Sequence, residues 1–196
     1  MKPSFDELDA GAAAAGPALG LLEIASIAEG FAAADRVVKA APVRLLLCRA
    51  ASPGKQLVLF AGEVSAVASA LRAGAEGLGA PPLDTLLLPQ VDPAVVAALG
   101  SARRPREVDA VGVVECATVA TLLVAADVAV KTADVELAAI RAAAGLGGKA
   151  YFVCTGEVAQ VRAAVNAAAG FARSRGQLAG EVVLPQPHRD LDAWLA

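Results

Sequence analysis

The sequence has little of the chemistry on which most enzymes depend. It contains one histidine, His188, and three cysteines, Cys48, Cys116 and Cys154, with no C-x-x-C spacing. Each cysteine lies inside an apolar run, so we interpret the cysteines as small buried hydrophobic residues. Zinc sites and Ser-His-Asp sites would all have to use the one histidine near the C-terminus. We therefore expect no catalytic residue, no metal and no cofactor.

Aromatic residues and clustered positive charge are also scarce. Aromatic residues make up 4% of the chain and the net charge is −3; outside the stretch S-A-R-R-P-R-E at 101–107, Lys and Arg occur singly. A nucleic-acid-binding protein is expected to show a basic stripe or an aromatic platform. The apolar run between Glu115 and Asp127 is far shorter than the roughly 18 residues of a membrane span. The acidic N-terminus does not resemble a signal peptide. We expect a cytoplasmic protein that binds neither nucleic acid nor membranes.

The residues that are abundant are small and apolar. The sequence is 57% hydrophobic, mostly Ala, Val and Leu, and its mean hydropathy is +0.58. This is apolar for a monomer, and a surplus of apolar surface usually forms an interface. We therefore expect an oligomer.

The chain contains a tandem repeat, which is the feature to settle first. The stretch V-V-K-A-A-P-V-R-L at 37–45 returns as A-V-K-T-A-D-V-E-L at 129–137, a spacing of 92 residues. At this spacing, 16 of the 35 residues of 18–52 are identical in the second copy. The match continues with G-K and G-E-V at a spacing of 94, and with L-P-Q at a spacing of 96. The changes of spacing fall where loops are expected, since loops tolerate insertions.

Each copy has the pattern of a ferredoxin-like β-α-β-β-α-β domain, which is an α+β fold. In the first copy, a three- and four-residue period predicts a helix over 27–41, ended by Pro42. The predicted buried stripe of this helix is Ile27, Phe31, Ala34, Val38 and Ala41. The predicted domain organisation is a tail at 1–16, a first domain at 17–100, a linker at 101–108 and a second domain at 109–196.

The G-L-G-G-K stretch at 145–149 invites comparison with a phosphate-binding loop. A Walker A motif needs a glycine at the position of Ala143 and a Ser or Thr at the position of Ala150. The predicted loop also joins two strands rather than a strand and a helix. A hairpin loop is the simpler interpretation. It is richer in glycine than the equivalent loop A-S-P-G-K, which Pro53 stiffens.

In both copies, the order L-G-L-L-E, A-D-R-V-V-K-A-A-P-V, glycine-containing loop and G-E-V resembles the bacterial microcompartment shell-protein domain. The chain is therefore similar to tandem-domain shell proteins of the trimer-forming, non-permuted type. The resemblance implies a homotrimer shaped as a pseudohexamer, which tiles a shell facet together with other shell proteins, both hexamers and pentamers. It implies a location in the microcompartment shell.

The resemblance also implies two kinds of functional residue. The helix-end lysines and the residues that follow the last strands are expected at tile edges: Lys39, Lys131, Gln90 and Gln186. The loops between the second and third strands are expected to line a central pore for small polar or anionic metabolites: Ser52, Pro53, Gly54, Ala144, Gly145, Leu146, Gly147 and Gly148.

The sequence departs from the family pattern at several positions. Gln90 and Gln186 stand where the family often has an edge arginine, which puts the usual contact between tiles in doubt. Some tandem members hold an iron–sulfur cluster through a cysteine in a pore loop. Here Ser52 and Ala144 occupy the loops, so we expect no cluster.

Two other functions are left open by the residues alone. The first is a trimeric ferredoxin-like regulator that binds a small molecule between subunits; it predicts saturable binding and no lateral assembly. The second is an enzyme that uses Glu23 and Glu115 as a carboxylate pair. Because these residues are equivalent in the repeat and each precedes apolar strand residues, a structural role is the better interpretation.

Overall fold

The computed structural model describes residues 16–100, 108–142 and 146–194, which form two units of the same design. The first unit consists of β1 (Ala18–Ile24), α1 (Ile27–Ala40), β2 (Arg44–Ala51), β3 (Lys55–Gly62), α2 (Val64–Ala75), β4 (Asp84–Leu88) and α3 (Pro93–Gly100). The second consists of β5 (Ala110–Cys116), α4 (Val119–Thr132), β6 (Glu136–Ala142), β7 (Ala150–Gly156), α5 (Val158–Ser174), β8 (Leu178–Pro185) and a 3-10 helix (Arg189–Trp194). Most of the predicted tail and linker, 1–15 and 101–107, lies outside the described residues.

Each unit is built on a four-stranded antiparallel sheet. The strand orders are β2-β3-β1-β4 and β6-β7-β5-β8, and the described pairings are all antiparallel. This is the ferredoxin-like order, in which the first and third strands are central. The predicted fold class, a tandem duplication of a β-α-β-β-α-β domain, is confirmed.

The first helices of the two units begin with the same side-chain cap. The Ser26 hydroxyl accepts a hydrogen bond from the Glu29 amide in α1, and the Thr118 hydroxyl accepts one from the Thr121 amide in α4, both at 3.3 Å. Such caps satisfy one of the amides that have no partner within a helix. Helix α1 ends at Ala40, two residues before Pro42, as the proline predicts.

The predicted buried stripe of α1 is wrong in most of its positions. The buried residues of α1 are Gly30, Ala33, Ala34 and Val37. The larger residues Ile27, Phe31 and Val38 expose 41%, 55% and 43% of their surface. The small residues face the sheet because only they allow the close approach: a Cβ on Gly30 would lie 2.3 Å from the Gln56 side chain. The period correctly indicated an apolar helix. Helix α1 has two apolar faces, however, and its own sheet covers the face that is formed by the smaller residues.

The two units pack together through one continuous hydrophobic core. This core joins Leu86 and Leu88 of β4 and Val95 and Leu99 of α3 to residues of α4 such as Leu123. We call the contact of β1, β4 and α3 with α4 and β6 the unit junction. Helix α4 is buried on several sides because its own sheet and the first unit both cover it.

Candidate assembly surfaces and loop cluster

The two loops predicted to line a pore meet at the unit junction. Lys55, at the start of β3, is 6% exposed, and its Nζ donates a 2.8 Å hydrogen bond to the main-chain oxygen of Gly148. A Cβ on Gly148 would lie 3.1 Å from both the Ser52 oxygen and Pro53 Cδ, so the loops are in contact. The structure therefore brings the two predicted loops together within one chain.

The remaining loop residues differ in exposure. Ser52, Pro53, Gly54 and Gly147 are exposed, Leu146 is half-buried and Gly148 is buried. Gly54 and Gly147 have φ angles of 116° and 60°, and a Cβ on either would contact nothing within 4 Å. The predicted pore residues Ala144 and Gly145 lie outside the described residues. The described residues among those predicted to line the pore thus present uncharged side chains and backbone to solvent, and the neighbouring Lys149 is half-exposed.

Glu23 fixes the first unit to the start of α4. Its side chain is fully buried; one carboxylate oxygen is bonded to Lys55 Nζ, and the other accepts a 2.7 Å hydrogen bond from the Ala120 amide. Burial is the dominant influence and raises the pKa of the Glu23 carboxyl, although the Lys55 contact and the Ala120 amide act in the opposite direction. Sequence reasoning assigned Glu23 a structural role but missed Lys55, because the two residues are 32 positions apart.

Glu115, the equivalent carboxylate of the second unit, is also paired with a lysine, but this pair is not buried. Lys149 Nζ donates a 3.1 Å hydrogen bond to Glu115, and the two side chains are 50% and 36% exposed. Glu23 and Glu115 therefore belong to two separate ion pairs rather than to one carboxylate pair.

Two of the predicted tile-edge residues are in direct contact. Lys131 Nζ donates a 2.9 Å hydrogen bond to the main-chain oxygen of Gln90 and a 2.6 Å hydrogen bond to Asp127. Asp127 in turn accepts a 2.8 Å hydrogen bond from the Asp92 amide. These bonds tie the end of α4 to the segment that follows β4.

The other two predicted edge residues lie apart from this contact. Lys39 donates a 2.7 Å hydrogen bond to Asp35 on its own helix, and both side chains are exposed. Gln186 is exposed and shares with Gln90 a left-handed backbone, with φ angles of 47° and 52°. A non-glycine residue in this region is uncommon. The bend after each last strand is thus a repeated feature of the two units.

Equivalent residues of α1 and α4 differ sharply in exposure. Phe31 is 55% exposed, whereas its equivalent Leu123 is fully buried. Ile27 is 41% exposed, whereas Val119 is 2% exposed. The same holds one strand later, where Leu45 is 38% exposed and Leu137 is 4% exposed. The surface that the first unit covers on α4 and β6 is thus open on α1 and β2; we call it the α1 face and define it by Ile27, Phe31, Val38 and Leu45.

The reverse difference holds for the strands that provide the cover. Leu86 and Leu88 of β4 are 4% and 7% exposed, whereas their equivalents Val182 and Leu184 on β8 are 42% and 37% exposed. The 3-10 helix after β8 adds Leu191, which is 41% exposed. We call this second surface the β8 face and define it by Val182, Leu184 and Leu191. Each of the two surfaces that are buried at the unit junction therefore has an exposed equivalent in the other unit: the α1 face in the first unit and the β8 face in the second.

The described residues offer few options for metal or thiol chemistry. The described ranges contain no group of three or more His, Cys, Asp or Glu side chains arranged to hold a metal ion. Burial raises the pKa of the Cys116 and Cys154 thiols to about 12. Cys48 is half-buried, and its sulfur accepts a hydrogen bond from Gln56 Nε2 at 3.2 Å. Within the same ranges, no helix is long and apolar enough to cross a membrane.

Comparison with known proteins gives a consistent result. The model of the BMC domain family matches the chain twice, over residues 18–91 and 110–187. The chain is 38% identical over 174 residues to the bacterial microcompartment shell protein PduT of Citrobacter freundii, covering 89% of this chain and 95% of that protein. The crystal structure of a microcompartment protein from Desulfitobacterium hafniense DCB is 42% identical, with a TM-score of 0.83 over 90% of this chain and 98% of that one. A single unit is matched by the shell protein EutM of Salmonella typhimurium, which is 34% identical over 84 residues, 43% of this chain and 85% of that protein.

Proposed function

Given that the chain belongs to the BMC domain family and is a structural shell protein of a bacterial microcompartment rather than an enzyme, we propose that three copies close into a flat ring of six units. This ring is a pseudohexagonal tile of the shell facet. The observation that carries the proposal is the difference in burial between α1 and α4, which leaves one junction surface open at each end of the repeat.

The open surfaces favour association of identical chains. The α1 face and the β8 face are different surfaces on one chain, so their contact is heterologous and propagates from copy to copy. Such a contact closes into a ring if the rotation between copies divides a full turn and otherwise continues as a filament; the proposed assembly is the closed ring. The two faces contribute seven of the ten exposed large hydrophobic residues of the described chain, the surplus expected of an interface.

The ring brings the loop clusters of three chains around one central opening. The loops 51–55 and 143–149 alternate around this pore, with Ser52 hydroxyls and glycine backbone amides among the lining groups. Exposed amides of glycine-rich loops favour anions, and pore width and hydrogen-bond lining set selectivity. The proposed traffic is therefore small polar or anionic metabolites. The four helix-end and strand-end residues Lys39, Lys131, Gln90 and Gln186 lie at the rim of the tile, where it meets other shell proteins, both hexamers and pentamers.

Negative-stain electron microscopy over a range of salt concentrations, combined with light-scattering mass, tests this proposal. The expected result is flat hexagonal discs with a central stain spot, sheets of such discs, and a mass about three times the chain's 19.5 kDa. Compact particles with no hexagonal outline that bind one metabolite saturably would support the small-molecule regulator instead.

A surface variant with a matched control locates the contact. Phe31→Glu places a charge on the most exposed residue of the α1 face and is expected to give particles of single-chain mass. Val64→Glu introduces the same charge at an exposed position whose equivalent, Val158, is also only partly buried. This control is expected to keep the trimer mass. A trimer that survives Phe31→Glu would rule out the α1 face.

A further inference from the structure

Glu115 and Lys149 have the geometry of a docking site whose occupied form is present elsewhere in the same chain. In the first unit, the Glu23 carboxylate binds Lys55 and the Ala120 amide, and Lys55 binds the Gly148 oxygen. Every group in this arrangement has an equivalent at the repeat spacing: Glu115, Lys149, the Ala28 amide and the Gly54 oxygen. The first pair of these equivalents is already assembled, with 3.1 Å between Lys149 Nζ and the Glu115 carboxylate.

The start of α1 is prepared in the same way as the start of α4. In both helices the capping hydroxyl accepts the amide of the third helical residue, Glu29 in α1 and Thr121 in α4. This leaves the second amide for another acceptor, because first-turn amides have no carbonyl partner within the helix. In α4 that amide belongs to Ala120 and binds Glu23. In α1 it belongs to Ala28, an exposed residue.

We propose that Glu115 accepts the Ala28 amide of a second copy of this chain, while Lys149 donates to the Gly54 oxygen of that copy. The proposal rests on the ring of three copies described above and names the polar contact that holds it. On docking, Glu115 and Lys149 lose their solvent exposure and become as buried as Glu23 and Lys55. A charged acceptor also suits the positive end of a helix dipole.

The polar groups around this contact differ between the two kinds of junction. Within the chain, Asp84 accepts hydrogen bonds from the hydroxyls of Thr118 and Thr121 at 2.6 and 3.2 Å. It also pairs with Arg175 at 3.2 Å. In the register of the sheets, Asp84 lies beside Glu23, and the equivalent position beside Glu115 is Gly180. Between chains Glu115 therefore acts without a carboxylate directly opposite it on β8.

The absence of a carboxylate at Gly180 also avoids repulsion with Glu29 of the second copy. Thr121 of α4 is replaced in α1 by Glu29, so an aspartate at position 180 would meet a like charge across the contact between copies. The two junctions are thus not interchangeable, since each carboxylate pattern fits one partner helix. This supports a ring in which junctions within and between chains alternate.

The test compares two variants that each remove one partly exposed carboxylate. In Glu115→Ala the lost side chain is 36% exposed and paired with Lys149. In Glu181→Ala it is 34% exposed and paired with Arg173, on a β8 residue outside the proposed contact. We expect Glu115→Ala to raise at least tenfold the chain concentration at which half of the trimer dissociates, measured by analytical ultracentrifugation. Glu181→Ala is expected to leave this concentration unchanged.

Hydrogen exchange followed by mass spectrometry provides a second readout on folded protein. The peptide that covers the start of α1 is expected to be protected in the wild-type trimer and to exchange faster in Glu115→Ala. Lys149→Met, which alters a half-exposed side chain, repeats the test if Glu115→Ala does not fold. A wild-type protein of single-chain mass would overturn the ring itself. A wild-type trimer on which Glu115→Ala and Lys149→Met act no more strongly than Glu181→Ala would overturn only the polar contact proposed here.

Discussion

Lys131 at the end of α4 donates a 2.9 Å hydrogen bond to the main-chain oxygen of Gln90, which follows the last strand of the other unit. The resemblance to shell proteins predicts both residues at tile edges, and the structure shows them as partners across the unit junction. Lys39, by contrast, pairs with Asp35 on its own helix. Removal of Lys131 and removal of Lys39 are therefore expected to lower the stability of a single chain by different amounts.

We expect Lys131→Ala to lower the free energy of unfolding by about 1 kcal/mol, because it removes the bond to Gln90 and the partner of the buried Asp127. Lys39→Ala removes an exposed ion pair between residues four apart and is expected to cost only a few tenths of a kcal/mol. Urea denaturation of the two single variants measures the difference. Equal effects would show that the Lys131 contact contributes nothing to stability.

The double variant Lys39→Ala, Lys131→Ala is expected to keep the trimer mass but to form sheets less readily. In the proposed tile these two ammonium groups lie at the rim, where neighbouring tiles would contact them. Electron microscopy of wild type and variant at matched concentrations makes the comparison. Sheets of equal extent in wild type and variant would show that neither lysine contributes to the contact between tiles.

Gly147→Asn is expected to slow metabolite flux across an assembled shell. The φ angle of Gly147 is 60°, a conformation that asparagine adopts more easily than other non-glycine residues, and the added atoms enter open space. The control is Gly77→Asn, since Gly77 has a φ angle of 72° and open space but follows α2, away from the loops. A flux that is unchanged in Gly147→Asn would place this loop outside the pore.

Gly20→Ala is expected to lower the free energy of unfolding by about 1–3 kcal/mol, the usual cost of overpacking a core. An added Cβ would lie 2.4 Å from the Phe60 ring, which is fully buried. Gly170→Ala in α5 meets nothing within 4 Å and is expected to raise the same free energy by about 0.5–1 kcal/mol, since alanine favours helices. Chemical denaturation of both variants checks the opposite signs.

The raised pKa of Glu23 predicts a pH dependence of stability. Its usual value is 4.5, and the folded protein holds the proton to a higher pH than the unfolded chain does. The contribution of this group is therefore fully present below 4.5 and is lost as pH rises through the folded pKa. We expect the difference in free energy of unfolding, wild type minus Glu23→Gln, to fall as pH increases from 4.5 towards neutral. A difference that is constant with pH would contradict the assignment.

Much of the fold could be predicted from the sequence because duplication writes each signal twice. The order of strands and helices and the loop positions follow from the apolar patterns that the repeat shows in both copies, and the end of α1 follows from Pro42. The facing of α1 could not be predicted, since Ile27, Phe31 and Val38 have the same period as a core stripe. Their exposure depends on how close the sheet allows the helix to approach, which Gly30 decides.

The candidate site was predictable only in part. The loops and the lysines could be located from the repeat. The Glu23–Lys55 contact could not, because it depends on strand register that brings distant residues together. The difference in burial between Glu23 and Glu115 could not be predicted either, since the same residue in both copies does not show which copy is covered by the other unit.

The covalent joining of the units through residues 101–107 has a consequence for how a tile comes apart. A junction within one chain recloses at the high effective concentration that a short connection imposes, whereas a junction between chains depends on the concentration of protein in solution. In the proposed ring, dilution is therefore expected to open every second junction and leave the others closed. Such a tile would dissociate into three preformed pairs of units, each retaining its Glu23–Ala120 contact, rather than into six separate units.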